Sequence, residues 1–97
     1  MNQLVLVGQV KKVEPIKTYA NGKKQQKIYF EIENIYKNEE KTIVPILIDF
    51  NTIYVCNDDW KELENIQKGQ KLGIRGELIN IKADTLVNAQ KITFFED

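Results

Sequence analysis

The sequence predicts an all-β chain with a small α component, and three observations carry that expectation. Apolar, β-branched runs recur at 3–13, 27–36, 41–50, 70–81 and 85–95, each bounded by turn residues. Residues 27–36 alternate with period two. Only one stretch, roughly 59–67, carries helical spacing. Three strands, a helix between strands three and four, then two strands is the order of an OB-fold, a five-stranded Greek-key barrel. A chain of 97 residues suits one such domain over 1–97.

The first strand, Gln3 to Val13, is interrupted by Gly8, which suggests a bulge or bend. Pro15 ends it, and 14–26 reads as a long, basic, exposed loop turning at Asn21-Gly22, a pair that tolerates positive φ. In the second strand Ile28, Phe30 and Ile32 point one way and Tyr29, Glu31 and Glu33 the other. Lys37-Asn38-Glu39-Glu40 is a turn. The third strand contains Pro45, which implies an edge or a bulge there.

Asp58 or Asp59 caps the helix, Trp60, Leu63 and Ile66 share one of its faces, and Lys68-Gly69 stops it. Trp60 is therefore expected in the core, and Cys56 as a small buried or half-buried residue. Lys82-Ala83-Asp84 joins the last two strands as a short hairpin turn.

Chemistry of the usual kinds is missing. There is no histidine, the commonest general base and metal ligand, and a lone cysteine cannot complete a zinc site. Neither a P-loop nor a dinucleotide fingerprint occurs. Glu39-Glu40 lies in a turn and Asp58-Asp59 at a helix start, where negative charge complements the dipole. The expectation is a protein that is not an enzyme and holds no metal or cofactor. No apolar run is long enough to span a bilayer, and Met1-Asn2-Gln3 lacks a basic leader region, so no membrane partner and a cytoplasmic location are expected.

Formal net charge is zero, but its distribution is uneven. Residues 1–27 hold Lys11, Lys12, Lys17, Lys23, Lys24 and Lys27 against Glu14 alone, a balance of +5, so the rest carries −5. Such asymmetry points to a side that faces a polyanion, or else to a solvated lysine face. Single-strand binding needs cations for phosphates and flat side chains for bases. Tyr19 lies among the loop lysines, Tyr29 points outward, and Tyr36 and Phe50 end strands two and three. Phe50 has two readings, ligand face or core, because its strand is apolar on both faces.

Met1-Asn2-Gln3-Leu4-Val5-Leu6-Val7-Gly8, Asn21-Gly22-Lys23, Lys68-Gly69 and Leu72-Gly73-Ile74-Arg75-Gly76-Glu77-Leu78 resemble bacterial single-stranded DNA-binding proteins from residue 1 to about 95. The resemblance implies an OB-fold that binds single-stranded DNA without a sequence code and associates through its first strand. It places two stacking aromatics on Tyr36 and Phe50, and Arg75 joins the candidate contacts. A third stacking position falls on or near Val44, and a fourth, in a long hairpin, has no counterpart. The family's glycine-rich tail with an acidic tip is also without an equivalent, since Phe94-Phe95-Glu96-Asp97 follows the last strand directly. Pro45-Ile46-Leu47-Ile48 and Asn88-Ala89-Gln90-Lys91-Ile92 are similar to the short, tail-less primosomal replication protein N family.

The function expected is sequence-independent single-stranded DNA binding in replication, recombination or mobile-element maintenance. The alternative is a protein-interaction OB module of a primosome-type assembly, with weak or no nucleic-acid binding; replication proteins are possible partners in either case. The apolar first strand also implies a homodimer or homotetramer.

Overall fold

The computed structural model describes residues 2–32 and 42–95. Six strands run in the order β1 (Gln3–Val13), β2 (Lys17–Thr18), β3 (Lys24–Ile32), β4 (Thr42–Asp49), β5 (Lys71–Ile81) and β6 (Asp84–Phe94). A 3-10 turn, Asn57–Asp59, leads into α1, Trp60–Leu63. The sheet order is β1-β5-β6-β4-β3-β2, and a further β1–β3 pairing closes five strands into a barrel. The expected all-β OB architecture is thus present. Because the two-residue β2 counts as a strand, the helical turn falls between β4 and β5 rather than between strands three and four.

β1 closes the barrel by changing partner midway. Its first part pairs with β5, its last part with β3, and Gly8 pairs with both Leu72 and Ile32. A side chain at Gly8 would collide with the Glu31 carbonyl, so only glycine allows strands to approach this closely. Gly76 plays the same part beside the Asn88 carbonyl, next to the bulge between Arg75 and Gly76. Bulges of this kind bend strands and let a small barrel close.

The inward face of each strand supplies the core. Val10, Ile28, Phe30, Ile46, Ile48, Leu72, Ile74, Val87, Ala89 and Ile92 are buried together with Leu63 and Ile66. The predicted alternation in β3 holds, and it extends three residues further back, to Lys24. Residues 33–36, the remainder of the expected second strand, and the 37–40 turn lie outside the described residues. Pro45 sits opposite Tyr29, one residue before the short parallel stretch that joins β4 to β6, so its missing N–H costs no ladder bond on that side.

The helix differs most from expectation. It is one α-turn after a 3-10 turn, and Asp59 stands at its N-cap without a side-chain cap bond. Leu63 and Ile66 are buried as expected, but Trp60 is 42% exposed. A face of three residues requires α-periodicity over two turns; here Ile66 lies beyond the helix and Trp60 follows the tighter 3-10 spacing. Cys56 is exposed rather than buried, because it lies in extended chain just outside the barrel, flanking the 3-10 turn.

Candidate functional site

The basic residues of the first 27 positions gather along one side of the barrel. A register shift between Val10 and Lys12 leaves Lys11 as an extra residue in β1. Strict alternation would turn one of two successive lysines inward. The bulge lets both reach the outer face, where Lys11 Nζ lies 3.2 Å from Glu31 Oε2 and Lys12 Nζ lies over the Tyr29 ring.

Tyr29 is the centre of this cluster. Lys12 and Lys27 place their ammonium groups 5.4 and 5.3 Å from its ring centroid. Its hydroxyl donates toward Glu14 Oε2 at 3.4 Å. The Lys27 ammonium is held above its ordinary pKa, chiefly by its hydrogen bond with Tyr29; desolvation opposes this, and electrostatic attraction to Tyr29, Glu14 and Asp84 adds to the upward shift. Lys27 therefore stays a cation throughout the neutral range.

Beyond this cluster the 14–23 segment folds back on itself. β2 pairs with the start of β3, Tyr19 N–H donates to the Lys23 carbonyl, and the Asn21 side chain accepts from the Lys23 N–H. Gly22 takes the positive φ of this turn. Lys17, Lys23 and Lys24 are exposed, and so is Tyr19, at 48%.

Between this segment and the β5–β6 hairpin lies an open groove of about 310 Å³. Glu14, Lys17, Tyr19, Gln26, Lys27 and Leu47 line it, with Ile81 and Lys82 from the hairpin. Lys82 and Ala83 form that hairpin's two-residue turn, both at positive φ. Neither Lys82 nor Gln26 was among the residues expected here. For Gln26 a signal was present: it continues backward the inward series Ile28, Phe30, Ile32.

Other candidates lie elsewhere. Phe50 is half-buried and packs against the core. Tyr36 lies outside the described residues. Arg75 is exposed on a separate surface, the outer side of β1, β5 and β6, paired across the sheet with Val5 and Lys91. Lys91 Nζ there covers the Tyr54 ring at 5.7 Å. Among the described residues no cluster of three metal-ligating side chains occurs, and no helix is long and apolar enough to cross a membrane.

Solved structures share this architecture over nearly the whole chain. The fold is an OB-fold. The N-terminal domain of PriB from Thermoanaerobacter tencongensis, described as dimeric, superposes with a TM-score of 0.74 at 24% identity, covering 99% of this chain and 98% of that one. The wild-type single-stranded DNA binding protein from Thermus aquaticus gives 0.75 at 16% identity; all of this chain matches 41% of that longer one. The yeast mitochondrial single-stranded DNA binding protein Rim1, from S. cerevisiae, gives 0.71 at 12%, covering 98% and 96%. No family model and no curated protein matches the sequence.

Proposed function

We propose that the protein binds single-stranded DNA without a sequence code, in replication, recombination or mobile-element maintenance. The observation that carries the reading is the groove between the 14–23 segment and the β5–β6 hairpin, which Lys17, Lys27 and Lys82 line together with Tyr19 and Glu14. Cations for phosphates beside an exposed ring for a base are the two parts single-strand binding requires. The face of an OB barrel next to its first loop and last hairpin is also where such ligands lie in this fold. The Thermus aquaticus and yeast structures are of proteins named for single-stranded DNA binding.

Self-association through β1 belongs to the same reading. Residues 3–7 pair on one edge with β5 only, and Val5 is 76% exposed. A free, apolar strand edge favours a second copy. A protein-interaction module is the second reading, favoured by Lys11 being matched by Glu31 and Tyr29 being covered by two lysines.

Titration with a fluorescent oligo(dT) of ~30 nucleotides across a salt series separates the two, since one OB unit covers ~4–16 nucleotides. Three or four neutralised phosphates give a slope of log affinity on log salt of about −2 to −3. No binding at low salt overturns the first reading in favour of the second.

A further inference from the structure

Tyr29 faces outward from β3, but a base approaching its ring meets two ammonium groups. Lys12 stands opposite Tyr29 in the β1–β3 register, and Lys27 precedes it by two residues on the same face of β3. Their Nζ atoms lie 5.4 and 5.3 Å from the ring centroid. The ring itself is half-buried, so a base would have to displace at least one of the two lysines to stack on it. Two lysines gathered on one ring need a cause. Like charges closer than a Debye length repel, and the freedom of each long stem favours carrying its ammonium into water. The negative face of the ring attracts both cations and opposes that tendency. The Tyr29 hydroxyl adds to the hold, since it donates toward Glu14 Oε2 at 3.4 Å and shares a hydrogen bond with Lys27.

This hold differs in kind from that on Lys11. Glu31 neutralises Lys11 at 3.2 Å, whereas a ring fixes an ammonium group and leaves its charge in place. Lys12 is exposed, and Lys27 lines the groove. One carboxylate, Glu14, stands beside the two cations, so the cluster keeps a net positive charge. We infer that Tyr29 is a positioning residue: its ring mounts Lys12 and Lys27 as a two-cation seat for phosphates where the strand passes from the groove onto β1, and it stacks no base. This rests on the single-strand-binding reading and sharpens it, by giving Tyr29 and Tyr19 different work. A lysine that is already held loses less freedom when a phosphate arrives, so the ring adds affinity without touching the DNA.

The test compares oligo(dT) of ~10 nucleotides, within the span of one OB unit, with an abasic strand of the same length, which keeps the phosphates and has no bases. Tyr29→Leu is expected to weaken both by the same factor, about two- to fivefold, the size of one exposed cation–ring contact. Tyr29→Phe keeps the ring and is expected to recover most of that loss. In a Lys12→Ala/Lys27→Ala background, Tyr29→Leu is expected to have no further effect. In the free wild-type protein, ring current is expected to move the ε-methylene protons of Lys12 and Lys27 upfield of those of Lys23 and Lys24 in NMR spectra, a readout that needs no variant to fold. A loss confined to oligo(dT) overturns the inference, because Tyr29 then stacks a base. Unchanged or tighter binding by Tyr29→Leu overturns it too, as does a phenylalanine variant no better than the leucine one. A full loss in the double-lysine background, or unshifted lysine protons, has the same consequence. All of these leave phosphate-driven binding standing. Absence of oligo(dT) binding by the wild type at low salt overturns both the inference and the reading beneath it.

Discussion

Among single residues, the lysines divide by what already occupies their charge. Lys11 faces Glu31 at 3.2 Å, and Lys12 and Lys27 sit on Tyr29, whereas Lys23 and Lys24 are exposed on the turn that follows Tyr19. Each free lysine that neutralises a phosphate contributes about −0.7 to the salt slope of single-strand binding. Lys23→Ala/Lys24→Ala should make that slope shallower by about 1.4, and Lys11→Ala should change it less, because an ion pair with Glu31 is lost as well. Titrations at four or five salt concentrations measure both. Protonation adds little over this range. The chain has no histidine, the side chain that ordinarily changes charge between pH 5 and 8. Lys27 is shifted upward from 10.5, so its charge is fully present below that value and is lost only as pH rises above it. Affinity for oligo(dT) should accordingly stay within about twofold from pH 6 to 9; a loss of tenfold would mean that another group carries the binding.

At the scale of elements, strained connections and close strand contacts set what the fold tolerates. Lys82 and Ala83 occupy left-handed backbone with φ of 48° and 71°, in a two-residue hairpin that favours asparagine and glycine. A non-glycine residue there costs about 1–2 kcal/mol, so Ala83→Gly should stabilise the protein by about 1 kcal/mol in urea unfolding. Gly8→Ala acts the other way. Its new methyl meets the Glu31 carbonyl where β1 passes from β5 to β3, and a loss of about 1–3 kcal/mol or more is expected in the same assay.

These elements also show what the sequence reveals and what it hides. Strand identity followed from alternation: Ile28 and Phe30 are buried and Tyr29 faces outward, as their spacing requires. The Lys11 bulge has no local signature, because an extra residue is visible only against the partner strand. Trp60 was misplaced since α-periodicity was assumed where a 3-10 turn precedes a single α-turn. The lysine set and Tyr19 were legible as candidates, and the period of β3 marks Gln26 as inward-facing, but Lys82 joins the groove only through the topology that brings the last hairpin beside it.

For the whole molecule, the distribution of charge and apolar surface separates two sides with different work. The lysine groove lies by the 14–23 segment and the β5–β6 hairpin, while Val5, Val7, Thr93 and Phe95 line a second hollow on the outer side of β1, β5 and β6. Zero net charge is then compatible with polyanion binding, because the +5 of residues 1–27 is local. Joining two copies by the β1 side would leave both grooves free and let one strand of DNA engage two of them, raising affinity through effective concentration without a new contact. Val5→Lys places a charge on the exposed strand edge and should shift the protein toward monomer in light scattering. The variant should keep its unfolding midpoint, since Val5 contributes little to the core. Its affinity for an oligo(dT) of ~10 nucleotides should be unchanged, while that for ~30 nucleotides falls by tenfold or more. Equal losses on both lengths would instead place Val5 at the DNA itself, and an unchanged oligomer would remove β1 from the association.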